Sequence, residues 1–157
     1  KGFINCDISK GCNPDKIVDL ECELPFVDNS VSYVTGDHLL EHITNFIPLM
    51  EELHRVCKNG AILEFTVPFY SFHGFIFNPT HVRAFSPFTF HFFDNPTYYG
   101  KAKFKVLENK IIFGVGKLSF LNFIFNPIFN KFMKFYVRFL AWVIPSEEIR
   151  FRLEVLK

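Results

Sequence analysis

The chain has 157 residues, 49% of them hydrophobic and 21% charged, with a formal net charge of +1. That length supports one domain with a core of its own, and the balance of apolar and charged residues excludes a disordered chain and a basic nucleic-acid binder. Four cysteines (Cys6, Cys12, Cys22 and Cys57) lack the C-x-x-C spacing of a zinc site and read as reduced thiols in a cytoplasmic protein. The first residues carry no signal-peptide pattern, and a chain that begins with Lys reads as a fragment of something longer. Phe is abundant, mostly after Pro68, but abundance alone assigns it no function.

In chain order, Gly2 to Asp7 predicts a short strand ending in an acid, followed by a loop of turn residues up to Pro14. Lys16 to Leu20 predicts a second short strand that reaches Asp19. Asp28-Asn29-Ser30 is a turn cluster, and Val31 to Thr35 is rich in β-branched and aromatic residues, as a strand is. From Pro48 to Lys58, Leu49, Met50, Leu53, Val56 and Cys57 fall on one stripe of a helix, with Glu51 and Arg55 at i, i+4 on its solvent side. Asn59-Gly60 tolerates the left-handed conformation that stops a helix, and Ala61 to Val67 is a second, more apolar strand that Pro68 ends. Strand, helix and buried strand in this order predict a βαβ unit, hence a parallel sheet with a right-handed crossover.

Phe69 to Pro96 has no clear period and is broken by Pro79, Pro87 and Pro96. A long irregular segment directly after a strand predicts a lid or binding loop over the strand ends. Ala102 to Val115 predicts a further strand, or a hairpin bent at Glu108-Asn109. Leu118 to Ile144 has the length of a membrane span, but Lys131, Lys134 and Arg138 form a cationic stripe opposite Phe132, Phe135, Tyr136, Phe139, Leu140 and Val143. Asn122, Asn126, Pro127 and Asn130 interrupt its first half. Two readings stay open: helices packed on the sheet, or a basic aromatic surface that touches membrane or a lipid-linked acceptor. Pro145 to Glu148 is a turn, and Ile149, Phe151, Leu153 and Val155 alternate with Arg150, Arg152 and Glu154, which predicts a final strand with one buried face.

Three of these segments, LPFVDNSVSYV, HLLEHI and ELHRVCKNGAILEFTVP, follow one another as they do in the class I S-adenosylmethionine-dependent methyltransferases. The chain resembles that family strongly over residues 3–68 and weakly beyond. Ser32 stands where the family usually has Asp, Cys57 where it has Leu, and Asn59-Gly60-Ala61 where it has Pro-Gly-Gly. The resemblance implies an α/β, Rossmann-like sheet, mostly parallel with an antiparallel last strand. The glycine-rich turn that precedes the ribose acid in this family is expected upstream of Lys1, so the sheet is expected to lack its first strand. One domain, 1–157, is expected to divide into a cofactor-binding core (1–68), a lid or acceptor loop (69–101) and C-terminal strands with aromatic helices (102–157).

The resemblance also implies S-adenosylmethionine as cofactor and a small-molecule or sugar-type acceptor. Asp7 is placed on the ribose hydroxyls, since a carboxylate accepts two donors at once, and Asp19 with Leu20 on the adenine. Gly36, Asp37 and His38 follow the next strand and are expected at the sulfonium end. His42, with His38 and His81, is a candidate for acceptor contact or for the base, which is needed only if the acceptor must lose a proton. Asn78-Pro79-Thr80-His81-Val82-Arg83 resembles a segment, often D-P-T-H-x-R, of a bacterial subgroup, and His73, Asn78 and Arg83 are assigned to acceptor recognition. Against this, Arg83 would pair with an internal acid and His81 with a backbone carbonyl.

His38-Leu-Leu-Glu41-His42 also fits H-x-x-E-H, in which a helix would present His38 and His42 to zinc with Glu41 as base. The methyltransferase reading is preferred and assigns no metal. A non-catalytic binding module derived from a methyltransferase is the alternative in another class.

Overall fold

In the computed structural model, which describes residues 2–95 and 100–157, the βαβ unit is formed by β3 (Val31–Asp37), α1 (Phe46–Val56) and β4 (Cys57–Pro68). The stripe predicted from the periodicity is the buried face of α1: Leu49, Met50, Leu53 and Val56 are buried, with Phe46 added one turn earlier. Cys57 leaves the helix and opens β4, where burial pushes its thiol up to about 11. Asn59-Gly60 lies inside β4, between the pairs Val31–Cys57 and Tyr33–Ile62, and Gly60 takes φ +77 as the bulge requires.

β3 and β4 are parallel, and β4 continues through antiparallel β6 (Glu148–Val155) to β5 (Phe104–Ile112), giving the order β3-β4-β6-β5. Ile149, Phe151, Leu153 and Val155 are the buried face of β6, as their alternation predicts. β5 is a single strand with an irregularity between Val106 and Glu108, so the hairpin alternative does not form. A separate two-stranded parallel sheet is made by β1 (Cys6–Asp7) and β2 (Lys16–Ile17), both shorter than predicted. No ladder joins it to the larger sheet among the described residues; Phe3 meets Tyr33 of β3 ring to ring at 5.4 Å.

The small sheet is fastened instead to the two ends of α1. Glu21 accepts from the amides of Thr44 (2.6 Å) and Asn45 (3.0 Å) at the start of the helix. At its end Arg55 forks onto Glu52 (2.9 and 2.7 Å) and bonds Asp28 (2.5 Å) and the carbonyls of Leu24 (2.9 Å) and Phe26 (3.2 Å). Arg55 therefore pairs at i, i+3 rather than with Glu51, whose carboxylate accepts from the Lys101 amide (2.9 Å).

The segment after β4 is half core. Phe69, Phe85, Phe90 and Phe93 are buried, and Phe90 contacts Phe46, Phe65, Phe85, Phe93 and Phe151. The short helix α2 (His73–Phe77) and residues 78–83 run over the ends of β3 and β4. Pro96 lies outside the described residues. Near the C-terminus a 3-10 turn (Gly116–Leu121) leads into α3 (Asn122–Lys131) and then α4 (Met133–Phe135), which continues as a π-helical turn (Tyr136–Leu140). No described helix is long and apolar enough to cross a membrane. Of the apolar set opposite the cationic stripe, Tyr136 is buried, while Phe132, Phe135, Phe139 and Val143 are exposed.

Candidate active site

β3 ends at Asp37, and the next residue, His38, takes φ +48 while its amide bonds the Thr66 carbonyl (2.9 Å). That turn sends the His38 ring back between two carboxylates: Nδ1 lies 3.3 Å from Glu41 Oε1 and Nε2 3.0 Å from Glu148 Oε1. Glu148 opens β6 and pairs in register with Pro68 at the end of β4, which is how a residue so distant in sequence reaches the site. Burial of the imidazole works against its charged form. The hydrogen bond to Glu148 and the charges of Glu41, Glu148 and Asp37 outweigh it, so the His38 pKa lies above its ordinary value.

Leu40–His42 is a single 3-10 turn that buries Leu40 and Glu41 completely. The helix that H-x-x-E-H would need does not form: the His38 ring goes to Glu148 and the His42 ring to His81, with centroids 4.7 Å apart. The loop carrying His81 is held on this turn by the amides of Val82 and Arg83, both bonded to the Glu41 carbonyl (2.9 and 3.3 Å). Asn78 Oδ1 accepts from the Thr80 amide (3.1 Å) and hydroxyl (2.7 Å), and Thr80 Oγ1 lies 2.9 Å from His42 Nδ1. His81 Nδ1 lies 3.0 Å from the Phe75 carbonyl, the backbone contact expected of it if it were not catalytic.

Arg83 donates to the Thr44 carbonyl (3.2 Å) and lies over the Phe46 ring at 5.1 Å. No acid pairs with it among the described residues, and its Nε is buried without a partner. Among the described residues, Glu41 Oε2 is the other buried side-chain atom in that condition. His73 is not brought in; it is exposed on α2 against Phe72 and Phe77. Asn78 touches Thr80 and through it His42, so its place is behind the histidine.

At the small sheet, Asp7 ends β1 with Oδ1 on the Ser9 amide (2.7 Å), leaving its second oxygen without a donor among the described residues. Asp19 Oδ1 accepts from the Glu21 amide (2.9 Å), and Leu20 lines a groove of about 320 Å³ with Pro48 and Leu49. Gly36 lies against Leu39 and Phe65, where an added Cβ would come within 3.1–3.3 Å of both side chains. Glu148, Glu41 and Thr80 are site residues that the sequence reading did not assign. Glu41 carried a signal in H-x-x-E-H, whereas Glu148 carried none, since only the β4–β6 register reveals it.

Residues 5–65 match the methyltransferase domain family. That match covers the small sheet and nearly all of the βαβ unit, and the fold is the one seen in solved class I methyltransferases. Among solved structures, a SAM-dependent methyltransferase from Archaeoglobus fulgidus is similar with a TM-score of 0.57 and 15% identity, over 95% of this chain and 74% of that one. The MccD protein is similar at 0.52 and 19% identity, over 97% and 78%. The complex between the Haloferax volcanii Trm112 methyltransferase activator and a putative methyltransferase contains a chain similar at 0.56 and 16% identity, over 90% and 62%. No curated protein matches significantly. At these identities the structural likeness speaks for the fold: the mixed sheet with its antiparallel strand is that of the methyltransferases. Near the small sheet, the second Asp7 oxygen can accept from a hydroxyl, and Leu20, Pro48 and Leu49 form the apolar wall of a groove whose rim carries Glu21, Glu23 and Glu52.

Proposed function

We propose that the domain binds S-adenosylmethionine across the ends of β1, β2 and β3 and transfers its methyl group to a small-molecule or sugar-type acceptor held by residues 78–83. The cofactor supplies a methyl group on a cationic sulfur, and the protein's task is alignment of the acceptor and exclusion of water. Asp7 takes the ribose, Asp19 and Leu20 the adenine, and Gly36, Asp37 and His38 the sulfonium end. His42 and His81 face the acceptor, and Arg83 receives an anionic group on it. The observation that carries this reading is the placement of two unpartnered buried polar atoms, Glu41 Oε2 and Arg83 Nε, beside the strand ends of a methyltransferase fold.

Calorimetric titration with S-adenosylhomocysteine tests it, on this chain and on any longer chain that contains it. Binding should weaken in Asp7→Ala by about 1–3 kcal/mol, the cost of leaving buried donors unpaired. Unchanged affinity removes Asp7 from the site. A folded protein that binds no S-adenosylhomocysteine in either form supports a binding module instead.

A surface favours a lipid-linked or membrane-borne acceptor. Phe120, Phe123, Phe132, Phe135, Phe139 and Trp142 are exposed beside Lys117, Lys131, Lys134 and Arg138. An apolar groove of about 350 Å³ runs between Phe129, Phe132, Phe135 and Leu140. Aromatic rings with cations at their edge suit an anionic headgroup layer. The protein should co-sediment with vesicles containing phosphatidylserine and not with pure phosphatidylcholine. Lys134→Glu with Arg138→Glu should abolish it; binding that ignores lipid charge would oppose the reading.

A further inference from the structure

We propose that Glu41, His42 and His81 form a binding site for a divalent transition-metal ion of the zinc type over the ends of β3 and β4. Each offers one ligand atom, and the three atoms lie within 4.8 Å of one another. The site shares residues with the acceptor region but does not rest on the methyl-transfer reading.

The first argument is the carboxylate. Glu41 is fully buried and its Oε2 has no hydrogen-bond partner, while Oε1 meets His38 at 3.3 Å. A buried carboxylate oxygen without a donor is costly, and a cation beside it removes that cost. His81 does not supply the missing donor, because its Nε2 is 4.0 Å from Oε1, beyond hydrogen-bond length.

The second argument is the protonation of the two rings. The Phe75 carbonyl can only accept, so the His81 nitrogen 3.0 Å from it, Nδ1, carries the proton. The Thr80 hydroxyl gives its single proton to Asn78 Oδ1 (2.7 Å), so it accepts from His42 Nδ1 at 2.9 Å. Both neutral imidazoles therefore keep the lone pair on Nε2. A hydrogen bond on the far nitrogen is what fixes the tautomer and orientation of a metal-bound histidine. Here both rings have one before any ion is present.

Two imidazoles and one carboxylate suit zinc and neighbouring divalent ions, and they leave coordination positions for water or an acceptor oxygen. Tetrahedral ligands at zinc lie about 3.3 Å apart. Binding therefore draws the three groups together by roughly an ångström, a movement that the exposed 78–80 loop can follow. With an ion in place, His42 and His81 serve as ligands and not as bases, and the ion lowers the pKa of an acceptor hydroxyl bound to it.

The test is titration of chelator-stripped protein with Zn²⁺ by calorimetry and with Co²⁺ by visible absorption. One equivalent of Zn²⁺ and the d–d bands of a low-coordinate Co²⁺ site are expected. His42→Gln and His81→Gln should lose both signals while keeping the wild-type circular dichroism. His91→Gln, at an exposed histidine paired with Asp94 elsewhere, should keep both. Glu41→Gln should lose them too, and if that buried change prevents folding the two histidine variants decide. No binding by wild type, or equal binding by folded His42→Gln and His81→Gln, overturns the proposal. S-adenosylhomocysteine titration of the same samples separates the two readings: uptake of it without zinc overturns only the metal site, and zinc without it only the cofactor reading.

Discussion

At the scale of single residues, Arg55 and Glu52 show how much one ion pair organises. The Arg55 fork ties α1 to the carbonyls of Leu24 and Phe26 and to Asp28, and Glu52 also accepts from the Leu24 amide at 2.8 Å. The hydrogen bond from Arg55 comes first among the causes that hold the Glu52 carboxyl below its ordinary pKa, with the Leu24 amide and the Arg55 charge adding to it against a smaller opposing effect of burial. A depressed folded-state pKa contributes stability above the unfolded value, near pH 4.3–4.5, and that stability is lost as pH falls through the folded pKa. Glu52→Gln should therefore melt below wild type at pH 7, and the two curves should converge as pH drops under about 4. A gap of constant size from pH 7 to pH 3 would assign the difference to shape rather than charge. The sequence indicated that Arg55 pairs within its helix but put Glu51 opposite it, because spacing alone does not distinguish i+3 from i+4 when a loop supplies further acceptors.

At the scale of elements, the asparagines of α3 have a use that hydropathy conceals. Asn122, Asn126 and Asn130 recur every fourth residue and therefore share one helix face. They face the outer edge of β5 and the residues after it. Asn130 bonds both the amide and the carbonyl of Ile111 (2.8 Å each), Asn126 accepts from the Phe113 amide (2.8 Å), and Asn122 bonds both groups of Gly114 (2.9 and 2.8 Å). A side-chain amide presents N–H donors beside a carbonyl acceptor and so mimics a neighbouring strand. Read as interruptions of an apolar run, they cover a sheet edge. Asn130→Ala should cost about 1–3 kcal/mol in chemical denaturation, because two backbone groups lose their partner. A cost within experimental error would mean that water replaces the side chain. The strands and α1 were legible because period two and the four-residue stripe survive burial. The start of β1 and the end of β2 were not, since so short a pairing leaves no periodic trace.

At the scale of the whole molecule, phenylalanine supplies most of the largest buried side chains of the core. Phe90 sits among five other rings contributed by α1, β4, β6 and the segment between β4 and β5, so a stretch without periodicity still supplies the centre of the domain. Phe90→Ala should destabilise by about 3–5 kcal/mol, seen as a lower denaturation midpoint at unchanged slope. A loss under about 1 kcal/mol would show the ring cluster collapsing into the void. Aromatic packing of this kind was invisible beforehand because rings from irregular segments obey no spacing rule. The same limit applied to the site. His38, His42, His81 and Arg83 could be named from local motifs, but Glu148 required the antiparallel register of β6, and the tautomers of the histidines required the loop to be seen on its turn.

The peptide group that joins Thr44 to Asn45 has a position of its own in this arrangement. Its N–H, that of Asn45, is taken by Glu21, two residues from Asp19, and its carbonyl, that of Thr44, by Arg83. One planar unit at the start of α1 thus links the loop after β2 to the loop over the ends of β3 and β4. Were ligands on its two sides to couple through it, thermodynamic reciprocity would require each to change the other's affinity by the same factor.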